Sequence, residues 1–458
     1  MKRLLSGLAA LLAMTGLVVA PEAADAAAAH STVVIVKPGG AHSLQKAVDS
    51  LKSSGGGTIM LRSGRYQQRV KFVHAHNITI EPYHKAHAIL DGTGLKVPNT
   101  DSGLITIVDS SNITVRGLDI TGYRTRQKNR VPIGIYVHGH DKKVHLIGNH
   151  VHDMGNDNNT LGSFSINAHG IAAYGDDAGA PISKLVISRN TVDNLHLGAS
   201  ESVVVNGNVT HWQITHNNIH DNDNIGIDAI GFEPTLGGKH RYTMLNRARH
   251  GLIAHNVVAR IKSQGNPAYW EDGSWCDCAD GIYIDGGTRI RVHANRVSDS
   301  DIGIEVAAEN GRGNASHVIT SHNHVTGSLY TGISTGGYCD GHNGCGGVQT
   351  GKSFDNVFRY NTLRGNNRLN DGSPELLVQY HAHNDVFVHN HVIATNTDSV
   401  VYGTVPRSDS NHNRSNHNTF GAVGGSRGKA QFGWGNHTYT GYAKYRSATG
   451  QDGNSTFR

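Results

Sequence analysis

The stretch "WQITHNNI", residues 212–219, alternates apolar and polar side chains and then reaches an asparagine, Asn217. The same phrase recurs as a short β-type run, an asparagine, one variable residue and, in most copies, an aliphatic side chain. Successive asparagines are separated by 41, 27, 39, 39, 28, 38, 29 and 28 residues. The spacings fall into two classes, a bare unit near 28 residues and the same unit with about ten extra residues, which predicts a repeat protein. The repeated positions are Asn149, Asn190, Asn217, Asn256, Asn295, Asn323, Asn361, Asn390 and Asn418.

A second short run follows the asparagine in several units and begins with Gly-Ile, as in "GIDAIG" from Gly226, "GIYIDG" from Gly281 and "GIEVAA" from Gly303. No sustained helical periodicity follows the N-terminal region. The unit is too short for a four-stranded propeller blade and has too few leucines for a leucine-rich repeat. Several short strands per turn predict a parallel β-solenoid, in which the asparagines stack as a ladder. Histidines at the same corners are interpreted as turn residues.

The segment "SLQKAVDSLKSSGGGTIMLRSGRY", residues 43–66, predicts an amphipathic helix, a glycine-rich turn and a strand. Such a helix would cover the open end of a solenoid core. With "ILDGTG", residues 89–94, and the asparagine-punctuated units, the chain resembles the pectate-lyase-like superfamily of right-handed parallel β-helix proteins from about residue 33 to residue 418. The resemblance implies an all-β fold and carbohydrate-active chemistry. Lyases, hydrolases, epimerases and adhesins share the fold, so it does not choose among them.

The chain begins with a basic tripeptide, an apolar run over residues 4–20 and small residues up to Ala29. This pattern predicts a signal peptide over residues 1–28 and a secreted protein. The β-helix domain is predicted over residues 29–420, followed by a final coil and a loose tail over residues 421–458. A net charge of +5 with scattered Lys and Arg gives little support to nucleic-acid binding. We expect a monomer whose partner is a polysaccharide, with no nucleic-acid or membrane partner.

Four cysteines, Cys276, Cys278, Cys339 and Cys345, all lie in the second half of the chain. In an exported protein, disulfides are the expected state. Two disulfides are therefore predicted, and a zinc site made of four thiolates is the alternative.

Acidic residues occupy the interior of the Gly-Ile strands. If Ile227, Ile282 and Ile304 point inward, alternation places Asp228, Tyr283 and Glu305 on the outer face. Stacking the units on Gly-Ile predicts an outward column of Ala172, Asp228, Tyr283, Glu305 and Ser334, and a second of Tyr174, Ile230, Asp285, Ala307 and Gly336.

Insertions fall at residues 154–168, 232–249, 263–278 and 337–352, directly before or after these strands. We expect them to form walls on both sides of the acidic face, and two of them contain all four cysteines. Their aromatic residues Trp270, Trp275 and Tyr338 suit stacking on sugar rings.

Hydrolysis of a glycosidic bond uses one protonated and one ionised carboxyl group. Glu305 is the candidate acid because its neighbours Val306, Ala307 and Ala308 are apolar. Asp285 is the candidate nucleophile or base, and Asp228 supports the pair. The predicted function is a secreted glycoside hydrolase without a cofactor or bound metal. The candidate substrate-binding residues are Tyr283, Tyr174, Asn206, Glu201, Glu233, Arg249, Trp270, Trp275 and Tyr338.

Two other functions remain open. The first is a lyase that cleaves a uronic acid polymer by β-elimination. Lyases that resemble this fold use a Lys or Arg as base and Ca²⁺ held by aspartates, and the aspartates available here are Asp228, Asp280, Asp285 and Asp301. The outward Gly-Ile positions carry no Lys or Arg, so a base would come from a wall, as Arg249, Lys262 or Lys239. The third class is a non-catalytic carbohydrate-binding protein. An alginate-type epimerase is disfavoured because its Tyr-Gly-x-Asp-Pro-His signature does not occur.

Overall fold

A computed structural model describes residues 32–40, 42–342, 347–395, 400–423 and 428–458. The predicted signal peptide, residues 1–28, lies outside the described residues. Three long sheets of parallel strands run the length of the chain, and each unit contributes one strand to each sheet in turn. A polypeptide that returns to the same sheet every 27 to 41 residues forms a parallel β-helix.

Sheet 1 holds the strands that precede the repeated asparagines. Its main path runs through Val33–Val36, Gly57–Leu61, His76–Pro82, Ser111–Arg116, Lys142–Ile147, Val186–Ser188, Gln213–Thr215, Leu252–Ala254, Arg291–His293, Ile319–Ser321, Val357–Arg359, Val386–Val388 and Arg414–Asn416, with Ile182–Ser183 and Val209–Thr210 beside it.

Sheet 2 holds the strands that follow the asparagines. They are Gly64–Tyr66, Ala88–Asp91, Asp119–Thr121, His150–His152, Thr191–Asp193, Asn218–Asn222, Val257–Ile261, Arg296–Ser298, His324–Thr326, Thr362–Arg364, His391–Ala394, Thr419–Ala422 and Thr456–Phe457.

Sheet 3 holds the Gly-Ile strands. They are Val70–Val73, Asp101–Val108, Val131–His138, His169–Gly175, Val203–Gly207, Ile227–Ile230, Asp280–Asp285, Ile302–Ala307, Thr331–Thr335, Leu376–Val378, Val400–Thr404 and Gln431–Trp434, closed by the antiparallel strand His437–Thr440.

Short elements lie outside the three sheets. A parallel pair joins Arg124–Thr125 and Gly155–Asn156, and an antiparallel pair joins Trp270–Glu271 and Ser274–Trp275. A small three-stranded sheet contains Asn314–Ser316, Lys352–Phe354 and Ala382–His383, and two 3₁₀ helices span Gly238–His240 and Pro267–Tyr269.

The predicted asparagine ladder is confirmed. Asn256 is 1% exposed, and its Oδ1 accepts hydrogen bonds from the backbone N (2.9 Å) and the Nδ2 (3.0 Å) of Asn217. Its own Nδ2 donates to the Ile214 carbonyl (2.9 Å) and to Asn295 Oδ1 (3.0 Å). The side-chain bond repeats along all nine positions from Asn149 to Asn418. Every rung therefore satisfies buried backbone groups at a corner that no strand pairs.

The glycine of each Gly-Ile strand is required by the close stacking of neighbouring coils. A Cβ built on Gly281 would lie 2.5 Å from Val297 Cγ1, and one on Gly303 would lie 2.2 Å from the Gly332 carbonyl oxygen. The isoleucines that follow, Ile282 and Ile304, are fully buried in one core that runs the length of the coil. Each stabilises the fold by about 1.5–3 kcal/mol relative to an exposed position.

Two α-helices lie near the ends of the described chain. The helix α1, Ser43–Ser53, buries Leu44, Ala47, Val48 and Leu51 and packs against strands of the first coils. Its role as an end cap stays a prediction.

The C-terminal segment differs from the expected loose tail, because it contains a second helix, α2, Tyr442–Thr449. Tyr442 and Tyr445 are fully buried. They are three residues apart and share one helix face. Two residues are too few to show the sustained apolar periodicity by which a helix is predicted from sequence.

Candidate functional site

The outer face of sheet 3 carries the predicted column of side chains. Strand register places Asp228 opposite Tyr283, Tyr283 opposite Glu305, and Glu305 opposite Ser334. The predicted order is confirmed, with Val204 inserted between Ala172 and Asp228. In the second column, Asn206 lies beside Tyr174 as expected. The two columns form the floor of a groove across successive coils.

The three predicted catalytic acids are nearly buried on this floor. Asp228 is 2% exposed, and Asp285 and Glu305 are each 5% exposed. The backbone N of Glu309 donates to Asp285 Oδ1 (2.7 Å), and Gln379 Nε2 donates to Glu305 Oε1 (2.8 Å). These contacts hold both carboxyl groups in defined orientations.

Burial raises the pKa of all three acids, because a charged carboxylate loses hydration there. The pKa of Glu305 rises to about 7. Burial, followed by the charges of Glu201 and Asp285, raises the pKa of Asp228 well above its ordinary range. For Asp285, burial and then the charge of Glu309 raise the pKa, while the hydrogen bond from the Glu309 backbone opposes the rise.

Two further acids join this face that the stacking argument did not find. Asp280 is 3% exposed, and burial, then the charges of Glu305 and Glu309, raise its pKa well above the ordinary range. The residues packed around Glu309, then the charges of Glu233 and Glu201, raise its pKa, but Glu309 is exposed and screening by solvent weakens the effect. We call the seven residues Glu201, Asp228, Glu233, Asp280, Asp285, Glu305 and Glu309 the acid cleft.

Several buried polar atoms on the floor have no hydrogen-bond partner among the described residues, among them Asp228 Oδ1, Asp280 Oδ1 and the Tyr283 hydroxyl. Leaving a buried polar group unpaired costs about 1–3 kcal/mol, so such groups concentrate where a ligand supplies the missing partner. Burial, then neighbouring acids, raise the pKa of Tyr283, which keeps its hydroxyl protonated and able to donate.

The other end of the floor is a polar network around His169. His169 Nε2 lies 3.0 Å from the Tyr174 hydroxyl, and its Nδ1 lies 3.3 Å from Glu201 Oε2. Asn206 Nδ2 donates to Glu233 Oε2 (2.6 Å), which connects the floor to the wall at residues 232–249. The structure thus brings Tyr174, Asn206, Glu201 and Glu233 together. His169 was not anticipated, since nothing in the repeat marks it as different from other histidines.

The insertions at residues 154–168 and 263–278 contact each other. The rings of Phe164 and Tyr269 lie 5.6 Å apart, and the Gly162 backbone N donates to the Pro267 carbonyl (2.9 Å). Trp270 and Trp275 face each other across a short antiparallel pair, with ring centroids 4.8 Å apart. These half-buried tryptophans are held as one aromatic unit on the wall.

Two tyrosines of the walls lie within electrostatic reach of the acid cleft. Burial and then the charge of Glu309 raise the pKa of Tyr338, which is 46% exposed. The same two causes raise the pKa of Tyr269, whose hydroxyl accepts a hydrogen bond from Asn224 Nδ2 (3.3 Å). Tyr338 was predicted at the site, and Tyr269 was not.

Arg249 is placed differently from the other candidates. Its guanidinium donates to Asn208 Oδ1 (2.9 Å) and to the carbonyls of Leu245 (3.3 Å) and Arg247 (3.1 Å). Its backbone bridges to Thr210 beside sheet 1. Arg249 therefore braces the wall at residues 232–249 through three hydrogen bonds of its guanidinium.

The cysteines agree with the disulfide prediction as far as the described residues extend. Cys276 and Cys278 form a disulfide within the wall at residues 263–278, and Cys339 is disulfide-bonded. Cys345 lies outside the described residues. A Cys276–Cys278 bond joins two residues of one wall, so it stiffens that wall and does not link it to another.

No family model matches the chain. Over 412 residues the chain is 32% identical to the uncharacterized protein YwoF of Bacillus subtilis (strain 168). The matched region covers 89% of this chain and 82% of YwoF. The chain belongs to the YwoF family.

Solved structures share its architecture at low identity. The A-module of the mannuronan C-5 epimerase AlgE6 of Azotobacter vinelandii matches with a TM-score of 0.51 and 14% identity, covering 91% of this chain and 93% of the module. The tailspike protein of Escherichia coli bacteriophage HK620, solved in complex with a pentasaccharide, matches with a TM-score of 0.52 and 12% identity. The match covers 86% of this chain and 66% of the tailspike chain. This likeness identifies the fold as a right-handed parallel β-helix.

The part of the chain that the structure describes contains no helix of the length and apolar character that crossing a membrane requires.

Proposed function

We propose that the chain is a polysaccharide-degrading glycoside hydrolase that acts in the acid cleft. The observation that carries the proposal is the collection of seven carboxyl groups on one walled face, with raised pKa values at Asp228, Asp280, Asp285 and Glu305 on its floor. Two proteins with this fold support a carbohydrate ligand for the chain: the AlgE6 module is from a mannuronan epimerase, and the HK620 tailspike was solved with a bound pentasaccharide. A role in degrading extracellular polymers also fits export by the leader predicted at residues 1–28.

Glu305 is assigned as the general acid. With a pKa of about 7, it is still partly protonated at neutral pH, which is the state that can donate to a leaving oxygen. The amide of Gln379 holds Oε1, so the second oxygen is the one available to carry the proton.

Asp285 is assigned as the nucleophile or base. Burial and then the charge of Glu309 raise the pKa of Asp285 well above its ordinary range, and the hydrogen bond that the backbone N of Glu309 donates to its Oδ1 opposes that rise. Mutual repulsion prevents all the acids from ionising together, so protonated and ionised groups coexist in the cleft. Asp228, two strands from Glu305 in the same column, supports the pair.

The charge of the cleft favours a neutral or amino-sugar polymer over a polyuronate. In the described parts of the chain, none of the seven acids forms an ion pair with Lys or Arg, and His169 is the basic group in direct contact with them. A polyuronate brought here would meet like charge on every side.

The lyase alternative requires a cation to neutralise the substrate carboxylate. Among the described residues, no three of the seven acids bring ligand oxygens within 4.8 Å of one another, so a preformed Ca²⁺ site is not built from them. Asp301, the other acid named for that role, accepts hydrogen bonds at Oδ2 from the backbone N and the hydroxyl of Ser263 (both 2.7 Å), and among the described residues it too belongs to no three-ligand cluster. The hydrolase is therefore the better supported function.

The test is incubation of the full chain with neutral, amino-sugar and uronic polysaccharides, measuring new reducing ends and UV-absorbing unsaturated ends in parallel. Asp285→Asn and Glu305→Gln are expected to lose about 10²–10⁴-fold in rate. The exposed wall residues Asp272 and Glu271 provide matched controls as Asp272→Asn and Glu271→Gln.

Three results would contradict the proposal. Full activity in both cleft variants would refute the site. Chelator-sensitive release of unsaturated ends would establish the lyase. Binding of a polysaccharide without cleavage of any would establish a carbohydrate-binding protein.

A further inference from the structure

A second cluster of chemically active side chains lies on the outer face of sheet 2, away from the acid cleft on sheet 3. His150 and His152 are two residues apart on one strand, so their side chains leave the same face. Register places His150 beside Asp119 on the preceding strand and His152 beside Asp193 on the following strand. Two histidines are thus framed by carboxylates on both sides.

The cluster is compact enough to share one ion. One ligand atom from each of Asp119, His150 and His152 lies within 4.8 Å of the others. The two imidazole rings are stacked with centroids 4.0 Å apart. Asp119 and His152 are largely shielded, with side chains 19% and 18% exposed. An ion bound at the usual 2.0–2.2 Å would need small shifts of these side chains and would take the place of the hydrogen between His152 Nε2 and Asp119 Oδ1.

Each histidine is already oriented by an outer carboxylate. His152 Nδ1 lies 2.7 Å from Asp153 Oδ2, which leaves its Nε2 facing Asp119 Oδ1 at 2.8 Å. His150 Nε2 lies 2.7 Å from Asp193 Oδ1, which leaves Nδ1 as its remaining ring nitrogen. A metal-binding histidine characteristically donates its other N–H to a carboxylate, which fixes the tautomer.

We propose that Asp119, His150 and His152 form a binding site for a divalent transition metal, with Zn²⁺ as the ion. Two imidazoles and one carboxylate suit Zn²⁺, whereas Ca²⁺ and Mg²⁺ prefer all-oxygen sites. Asp153 and Asp193 orient the ligands, and His87, whose Nε2 lies 2.8 Å from Asp119 Oδ2, orients the carboxylate. This goes beyond the sequence-based expectation that the corner histidines bind no metal.

The site opens onto a cavity of about 630 Å³ that Asp119, His152 and His87 help to line. Three protein ligands leave a fourth position, which water occupies when zinc sites of this type face solvent. The ion would therefore be exchangeable, and removing it should leave the coil folded.

The experiment is calorimetric titration of the chelator-treated full chain with Zn²⁺, because 31 histidines make stoichiometry alone uninformative. The tightest class of sites is expected to hold one ion per chain. Asp119→Asn and His150→Ala should remove that class, and Asp153→Asn should weaken it about 10–100-fold. His255→Asn is the matched control, because exposed His255 stacks on His216 with ring centroids 5.0 Å apart.

Unfolding temperatures measured in chelator check that each variant is folded. Tight binding that survives both Asp119→Asn and His150→Ala in folded protein would overturn the proposal. So would wild-type protein without a tight class, which would show that the cluster is a structural His–Asp network only. The readout does not depend on activity in the acid cleft, so the two proposals stand or fall separately.

Discussion

Replacing Glu305 with Gln is expected to abolish the proposed hydrolase activity and, at the same time, to stabilise the fold at alkaline pH. Glu305 is 5% exposed, and its pKa is raised from 4.5 to about 7 by burial. Between these two values the folded protein retains a proton that the unfolded chain has released. Stability therefore falls as the pH rises through this window, and the penalty is complete above pH 7.

The size of the effect follows from the two pKa values. A difference from 4.5 to about 7, at about 1.4 kcal/mol per pH unit, gives about 3 kcal/mol of destabilisation in the wild type at pH 8. Glutamine has nearly the same shape, carries no charge and still offers an oxygen to Gln379 Nε2. Glu305→Gln should thus be more stable by up to about 3 kcal/mol at pH 8 and nearly unchanged at pH 4.

The assay is equilibrium urea unfolding at pH 4, 6 and 8 for the wild type, Glu305→Gln and the exposed control Glu271→Gln. The control should show no comparable gain at any pH. A difference between Glu305→Gln and the wild type that does not depend on pH, or a loss of stability at pH 8, would refute the argument that burial of this carboxyl group strains the fold.

Other predictions concern the ladder, the glycine column and the pH profile. Asn256→Ala should lower the unfolding free energy by about 3 kcal/mol or more, because buried partners at Asn217 and Ile214 lose their hydrogen bonds. The control His255→Asn should cost little, because His255 has a left-handed backbone conformation at an exposed corner, which asparagine tolerates. Gly281→Ala should lower both the unfolding temperature and activity, since its Cβ would meet Val297 at 2.5 Å; wild-type values would contradict the close packing. The kcat/KM of the wild type should fall as the pH rises above about 7 and Glu305 loses its proton; a rate that keeps rising to pH 9 would exclude Glu305 as the acid.

Much of the fold could be predicted because one geometric rule covers the whole chain. The spacing of the asparagines sets the length of a coil, and the fixed position of Gly-Ile sets the strand register. Once Ile282 and Ile304 were assigned to the core, alternation alone placed Tyr283 and Glu305 on the outer face, where they lie. Such reasoning needs no knowledge of side-chain contacts.

The parts of the site that escaped prediction are those where alternation ends. Strict alternation from Ile282 would turn Asp280 inward, but the charges of Glu305 and Glu309 act on Asp280, which lies with the acids of the outer face. Ile225, in the equivalent position one coil earlier, likewise packs against Tyr283 and Ala307 outside the main core. Glu309 follows the end of its strand, where no periodicity applies. The hydrogen bonds of the Arg249 guanidinium within its wall could not be read from the sequence, because they depend on how that insertion folds.

Within the three sheets each coil pairs with its two neighbours, so evolution can change the number of coils in whole steps. Duplicating one unit of about 28 residues would add one rung of about 4.8 Å to all three sheets, continue the asparagine ladder and leave the core closed. The groove on sheet 3 would lengthen by the same step. Duplicating or deleting units could therefore lengthen or shorten this groove among members of the YwoF family, while the pattern of strand pairing and the asparagine ladder stay the same.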